Sequence, residues 1–135
     1  MRLRRSKLKV SISMRGDNRE LGRKGEDLAA SHLEGLGYKI VGRNVVNALG
    51  ELDLVAVDGR TVVVVEVKTR ARAGRRPSDA VDFRKRKKLT MVASLFLQSR
   101  KWSDRPARFD VVEVVSPPGG APMVRHIINA FEAVV

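Results

Sequence analysis

The stretch Val62-Val63-Val64-Val65-Glu66-Val67-Lys68 constrains this chain more than any other. β-branched side chains lose rotamer freedom in a helix and pack well on a pleated surface, so the run reads as a strand. Its valines do not alternate with polar residues, which is the pattern of a strand covered on both faces, inside a sheet rather than at its edge. Into this run the sequence places Glu66 and Lys68, two residues apart and therefore on one face. A charge buried without a partner costs on the order of several kcal/mol, so the placement calls for a partner or a chemical purpose.

Asp53, in Leu52-Asp53-Leu54-Val55, repeats the oddity. Leu52 to Val57 and Thr61 to Lys68 read as two strands of a hairpin, with Asp58-Gly59 as the turn signal because that pair tolerates positive φ. A two-residue loop pairs Val57 with Arg60 and a four-residue loop pairs Val57 with Val62. Both put Asp53 on the face of Glu66, whereas an odd loop would not, and Asp58-Gly59 favours the two-residue form. Two neighbouring carboxylates repel unless a proton or a cation joins them, and hard oxygen ligands select Mg2+ or Mn2+. Such an ion would bind a phosphate oxygen and supply hydroxide near neutral pH, with Lys68 orienting the water or offsetting charge in the transition state. The bland alternative is a Glu66–Lys68 or Asp53–Lys68 ion pair without a reaction. Three charges on one face beside a basic helix favour the chemical reading.

Around this hairpin the order is α-β-β-β-α-β-β. Residues 1–19 read as a flexible basic arm with a short extended piece around Leu8 to Ile12, and residues 20–135 as one domain. A helix begins at Glu20, with Leu21, Gly25, Leu28, His32 and Leu36 as its buried stripe and Gly35 and Gly37 as its stop. Glu26 lies at the border of that stripe, turned along the sheet, whereas Asp27 projects to solvent. Gly22 and Gly25 would let a strand or a phosphate backbone approach closely. Tyr38 to Val46 is a strand. After the hairpin, Arg70 to Pro77 is a basic loop, and Ser78 or Asp79 caps a second helix that runs to about Ser99 and buries Leu89, Val92 and Phe96. Phe109 to Val115 and Met123 to Ile128 are strands, and Asn129 to Val135 is a closing helical turn or tail. The helical crossover between the third and fourth strands makes those two parallel, giving an α/β fold with a mixed sheet flanked by helices.

The net charge of +12 is localised. Residues 1–19 carry +6 and residues 68–88 carry +8, leaving −2 for the remainder. Concentrated positive segments form an electrostatic footprint for phosphates, whereas a merely solubilising surface mixes signs. Arg70, Arg72, Arg75, Arg76, Lys85 and Lys88 are the expected nucleic-acid contacts. Zero cysteines exclude disulfides, thiolate nucleophiles and zinc-ribbon sites, and two histidines are too few for a histidine-rich metal centre. A cytoplasmic, reducing setting follows as the default. No apolar run nears the roughly 20 residues that span a bilayer, and no amphipathic apolar face accompanies the basic arm, so no membrane role is expected. An aromatic content of 4% leaves few stacking platforms for single strands. Trp102 and Tyr38 read as packing residues, His126 as a satisfied structural histidine and Asp110 as a packing or capping position. Glu51 shares the face of Asp53 and either supports it or is a solvated turn residue.

Asp53, twelve intervening residues, then Glu66-Val67-Lys68 resembles the D…ExK core of the PD-(D/E)XK nuclease superfamily. The fuller set is more specific: Gly22-Arg23-Lys24-Gly25-Glu26, Gly50-Glu51-Leu52-Asp53-Leu54, Val65-Glu66-Val67-Lys68-Thr69-Arg70, Lys85 to Leu89, Arg108-Phe109-Asp110-Val111-Val112 and Asn129-Ala130-Phe131. Over residues 20 to 131 it resembles the bacterial YraN family, also called UPF0102. That resemblance implies a restriction-endonuclease-like αβββαβ core, with Asp53 and Glu66 as metal ligands and Lys68 as the catalytic lysine. It also implies that Glu26 matches the helix-one glutamate that resolvases add to the site, and that Lys85 faces the nucleic acid. Leu52 replaces the motif's proline.

The leading expectation is a nuclease dependent on Mg2+ or Mn2+, acting on phosphodiester bonds of DNA rather than RNA, with structured or branched DNA in view. The competing class is a non-catalytic nucleic-acid-binding module or adaptor. A protein-interaction module is the third. A homodimer would suit cleavage of two strands.

Overall fold

Val62 to Val65 are all buried, and they lie inside the sheet as the continuous valine run requires. The computed structural model describes residues 2–7, 18–72 and 81–134, with side chains described for 21–72 and 81–134. In chain order the elements are β1 (Arg2–Lys7), α1 (Asn18–Gly35), β2 (Lys39–Asn47), β3 (Gly50–Asp58), β4 (Thr61–Arg70), α2 (Phe83–Ser99), β5 (Ala107–Val115) and β6 (Met123–Phe131). They form one sheet in the order β1-β6-β5-β4-β3-β2. Only β4 and β5 pair in parallel among these strands, and the segment joining them contains α2. This mixed sheet with two helices is the α/β arrangement expected of a restriction-endonuclease-like core.

The period of two explains why both faces are apolar. Val63 and Val65 join Leu28, Ala29, Ala30 and Leu33 of α1. Val62 and Val64 join Leu89, Val92, Ala93 and Phe96 of α2. Each valine so buried contributes roughly 1.5–3 kcal/mol of transfer free energy. α1 ends where Gly37 adopts φ +89°, which lets the Tyr38 amide donate to the Leu33 carbonyl. Its buried face centres on Leu28, Ala29 and Leu33, while Leu21 and Leu36 are only half-buried.

Several expectations are corrected. Residues 2–7 form a strand antiparallel to β6 where the sequence reads as a flexible arm; the extended piece at 8–12 lies outside the described residues. The hairpin pairs Val57 with Val62 and Asp58 with Thr61, so its two-residue turn is Gly59-Arg60 rather than Asp58-Gly59. Gly59 supplies the positive φ of +62° and Asp58 takes the last rung. The loop stays even, so the face shared by Asp53 and Glu66 is unchanged. The N-cap of α2 is Asp82, whose carboxylate accepts from the Lys85 amide at 2.9 Å; Ser78 and Asp79 lie outside the described residues. Ala130 and Phe131 extend β6 instead of starting a helical turn, because Phe131 stacks on Phe109 with ring centroids 4.9 Å apart. No described helix is long and apolar enough to cross a membrane.

Candidate metal centre and nucleic-acid face

Asp53 lies inside β3 at a rung that neither neighbouring ladder pairs. In the β2–β3 ladder, Arg43 pairs with Leu54 and Val45 pairs with Leu52, while Asn44 and Asp53 between them do not pair. In the β3–β4 ladder the pairing stops at Leu54 with Val65, one step short of Asp53 and Glu66. Asn44 causes the first gap, since its φ of +49° is left-handed and turns its backbone out of the ladder. Across the second gap, Asp53 Oδ2 accepts from the backbone amide of Val67 at 2.9 Å. The aspartate thus faces the middle of the Glu66-Val67-Lys68 segment.

Glu66 is 6% exposed. Lys68 Nζ and Lys85 Nζ each lie 3.6 Å from its Oε1, one from β4 and the other from α2. Burial pushes the Glu66 carboxyl up to about 7, and the negative charge of Asp53 pushes in the same direction against both lysines. The closeness of the two carboxyls makes the charged form of Glu66 costly. Such a desolvated, mutually repelling pair of carboxyls is the donor chemistry that a hard divalent cation satisfies. Among the described residues, no group of three or more His, Cys, Asp and Glu side chains converges as a ligand set. Two carboxylates with water completing the shell is a common arrangement for Mg2+, which dehydrates reluctantly.

Glu26 lies within reach of the charge of Asp53. Burial raises its pKa, the Asn44 side chain donates a hydrogen bond that lowers it, and Asp53 and Glu51 raise it by repulsion. It lines a cleft of about 240 Å³ with Leu21, Gly22, Val67 and Thr69. The two glycines of this helix act differently. A Cβ at Gly25 would sit 2.0 Å from Thr69 Oγ1, so only glycine lets α1 lie this close to β4. Around Gly22 there is open space, which leaves the mouth of the cleft unobstructed.

The basic groups fall into two sets. Lys85 and Lys88 line a second cleft with Glu51, Asp82, Arg84 and Leu89, so Glu51 faces the start of α2. α2 has no acidic residue in its first turn, although helix N-termini favour negative charge. Arg70 lies 3.6 Å from Glu113 Oε2, and Arg72 is exposed just beyond β4. Arg75 and Arg76 lie outside the described residues. Glu113 is wholly buried in β5, bonded to Arg125 at 3.0 Å, and neighbours Lys68 in register.

Sequence reasoning missed Asn44 and Glu113. Asparagine tolerates left-handed φ several-fold better than most residues, so an asparagine inside a β-branched stretch opposite Asp53 was the available signal. Glu113 had a signal of the same kind as Glu66, a lone charge inside Val111-Val112-Glu113-Val114-Val115.

Residues 25–114 match the family model described as "Uncharacterised protein family UPF0102". A UPF0102 protein of Pseudomonas aeruginosa strain LESB58 is 45% identical over 122 residues, covering 88% of this chain and 98% of the relative. A UPF0102 protein of Geobacter sulfurreducens is 46% identical, covering 85% and 91%. One from Symbiobacterium thermophilum is also 46% identical, covering 86% and 99%. The stretch matched by the family model contains Glu26, Asp53, Glu66, Lys68 and Lys85.

Proposed function

The chain belongs to the UPF0102 family, and on that premise we propose that it is a divalent-metal-dependent nuclease that hydrolyses phosphodiester bonds in DNA, with structured or branched DNA as the substrate class. One observation carries the reading: Glu66, a carboxylate buried on a central strand, is set against Asp53 and flanked by two lysines. A fold without chemistry to perform gains little from this grouping, since apolar residues of similar volume stabilise as well or better.

Asp53 and Glu66 would hold Mg2+ or Mn2+, with Glu26 close enough to add its charge. When bound, the ion supplies Lewis acidity toward the phosphate and lowers the pKa of water. Lys68 is held to its strand by the ladder with β5 and reaches the carboxyl oxygen, so it can donate to a phosphate oxygen as negative charge develops there. The amide of Val67 fixes the Asp53 carboxylate, which limits its reorganisation. The lysines and arginines at the start of α2 grip backbone phosphates without reading sequence, which gives affinity that falls steeply with salt.

A second reading is favoured by the same two lysines: they already neutralise Glu66, so the cluster is self-sufficient as the charged heart of a nucleic-acid-binding module that does not cut. The discriminating experiment is cleavage of a labelled four-way junction, flap, duplex and single strand with Mg2+ or Mn2+, comparing wild type with Glu66→Ala. Cutting by wild type alone establishes the enzyme and identifies its substrate. Binding by both proteins without cutting by either establishes the module.

A further inference from the structure

Two ammonium groups converge on one carboxylate oxygen, and they are not equivalent. Lys68 is anchored two residues from Glu66 on the same strand, paired on its far side with Glu113 of β5, and its side chain is 33% exposed. Lys85 comes from α2, and its side chain is 47% exposed. Neither approach at 3.6 Å is a hydrogen bond, so charge alone holds them. Lys85 is also the member with reasons to leave. It sits in the first turn of a helix whose amide dipoles repel cations, and it shares a cleft with Arg84 and Lys88.

With Asp53 and Glu66 balanced by Lys68 and Lys85, the group is neutral when every member is ionised. A dication placed on the carboxylates would leave a local excess of positive charge, and the more exposed and less tethered ammonium relieves it by moving away. We propose that Lys85 is a resident counter-ion of Glu66, displaced when a divalent cation loads, and that its freed ammonium then serves as a ligand for a backbone phosphate of the nucleic acid. The inference rests on the nuclease reading of the site. It makes metal loading and nucleic-acid grip mutually reinforcing, because coupling between two binding events is reciprocal. A neutral side chain at position 85 should therefore strengthen metal binding while lessening the metal's effect on nucleic-acid affinity.

The test is calorimetric titration of Mn2+ into the full-length chain without nucleic acid, for wild type, Lys85→Met, Lys85→Arg and Glu66→Ala. Removing one competing charge beside a partly exposed site should tighten Mn2+ binding by roughly fivefold to tenfold in Lys85→Met. Lys85→Arg keeps the charge and should stay near wild type, which separates electrostatic competition from altered packing. In parallel, the initial anisotropy change of a labelled duplex on mixing should show tighter binding with Mn2+ than without it for wild type, and a smaller gain for Lys85→Met. Equal or weaker Mn2+ binding in Lys85→Met overturns the counter-ion role while leaving the metal site standing, provided Glu66→Ala loses Mn2+. If Glu66→Ala binds Mn2+ as well as wild type does, the metal site itself is overturned, and this inference with it.

Discussion

Two of the charged clusters on the sheet, one around Glu66 and the other around Asp110, are built on opposite principles. Asp110 is wholly buried in β5, and each of its oxygens is occupied. Oδ1 accepts from the Asn129 amide at 2.9 Å and from Arg108 Nε at 3.0 Å, while Oδ2 faces His126 Nε2 at 2.8 Å. An ionised carboxylate only accepts, so His126 donates from Nε2, and its Nδ1 lies 3.1 Å from His32 Nε2. Arg108 continues the chain to the Tyr38 hydroxyl at 2.8 Å. Burial alone would raise the Asp110 carboxyl, but the bonds from His126, Arg108 and the Asn129 amide hold it below its ordinary value. At Glu66 burial and a like charge win instead, and the carboxyl rises to about 7. A buried acid whose surroundings favour its charge is part of the scaffold. One whose surroundings penalise its charge keeps a standing demand for a cation, which is what a site of chemistry needs.

The sharpest way to break this comparison is to remove each acid in turn and read stability. Asp110→Ala strands Arg108, His126 and the Asn129 amide in the interior, and should cost about 3–5 kcal/mol, measured as a shift of the urea midpoint at constant slope. A loss below about 1 kcal/mol would show that the Asp110 network is not a scaffold.

Next in size is a pH effect of Glu66. Its folded pKa lies above its unfolded value of 4.5, so the unfolded chain releases this proton first as pH rises. Stability should therefore fall between pH 4.5 and about 7, reaching a penalty of roughly 3 kcal/mol above that window. Glu66→Gln should remove this slope and be at least as stable as wild type at pH 8, as thermal melts across the range would reveal. Asp110 acts with the opposite sign: its folded pKa is depressed, so its contribution is present above its unfolded value of 3.8 and is lost as pH falls through the folded one.

The smallest effect concerns the start of α2. Arg84→Glu places a favourable charge in the first turn of the helix and should gain about 0.3–1 kcal/mol of stability. The same change should weaken duplex binding and reduce the slope of log K against log salt by about 1 or more. A variant that gains stability and keeps the full salt slope would place the phosphate grip elsewhere.

Much of this was legible in the residues. Asp53 and Glu66 could be assigned to one face because a strand alternates sides and any even loop preserves the parity, so the shift of the turn from Asp58-Gly59 to Gly59-Arg60 did no harm. The parallel pairing of β4 and β5 followed from the length of the crossover. The Asp110 cluster was not legible, since His32 and His126 stand 94 residues apart and meet only once α1 is laid on β6. The helix start at Asp82 was missed because Ser78 and Asp79 carry the same capping chemistry, and a local signal does not choose among three candidates. The extension of β6 to Phe131 depends on the stack with Phe109, a contact between strands that no window on one of them reveals.

The left-handed Asn44 has a second effect, on the outer margin of the molecule. β2 ends the sheet, and a straight terminal strand is a template on which another chain can add, which is how native proteins come to aggregate. Here the margin is broken twice, by the register shift between Ile40 and Gly42 and by the turned backbone at Asn44. The kink that frees Asp53 from its ladder thus also blunts the edge, so restoring a regular strand there should trade the site for a surface prone to self-association.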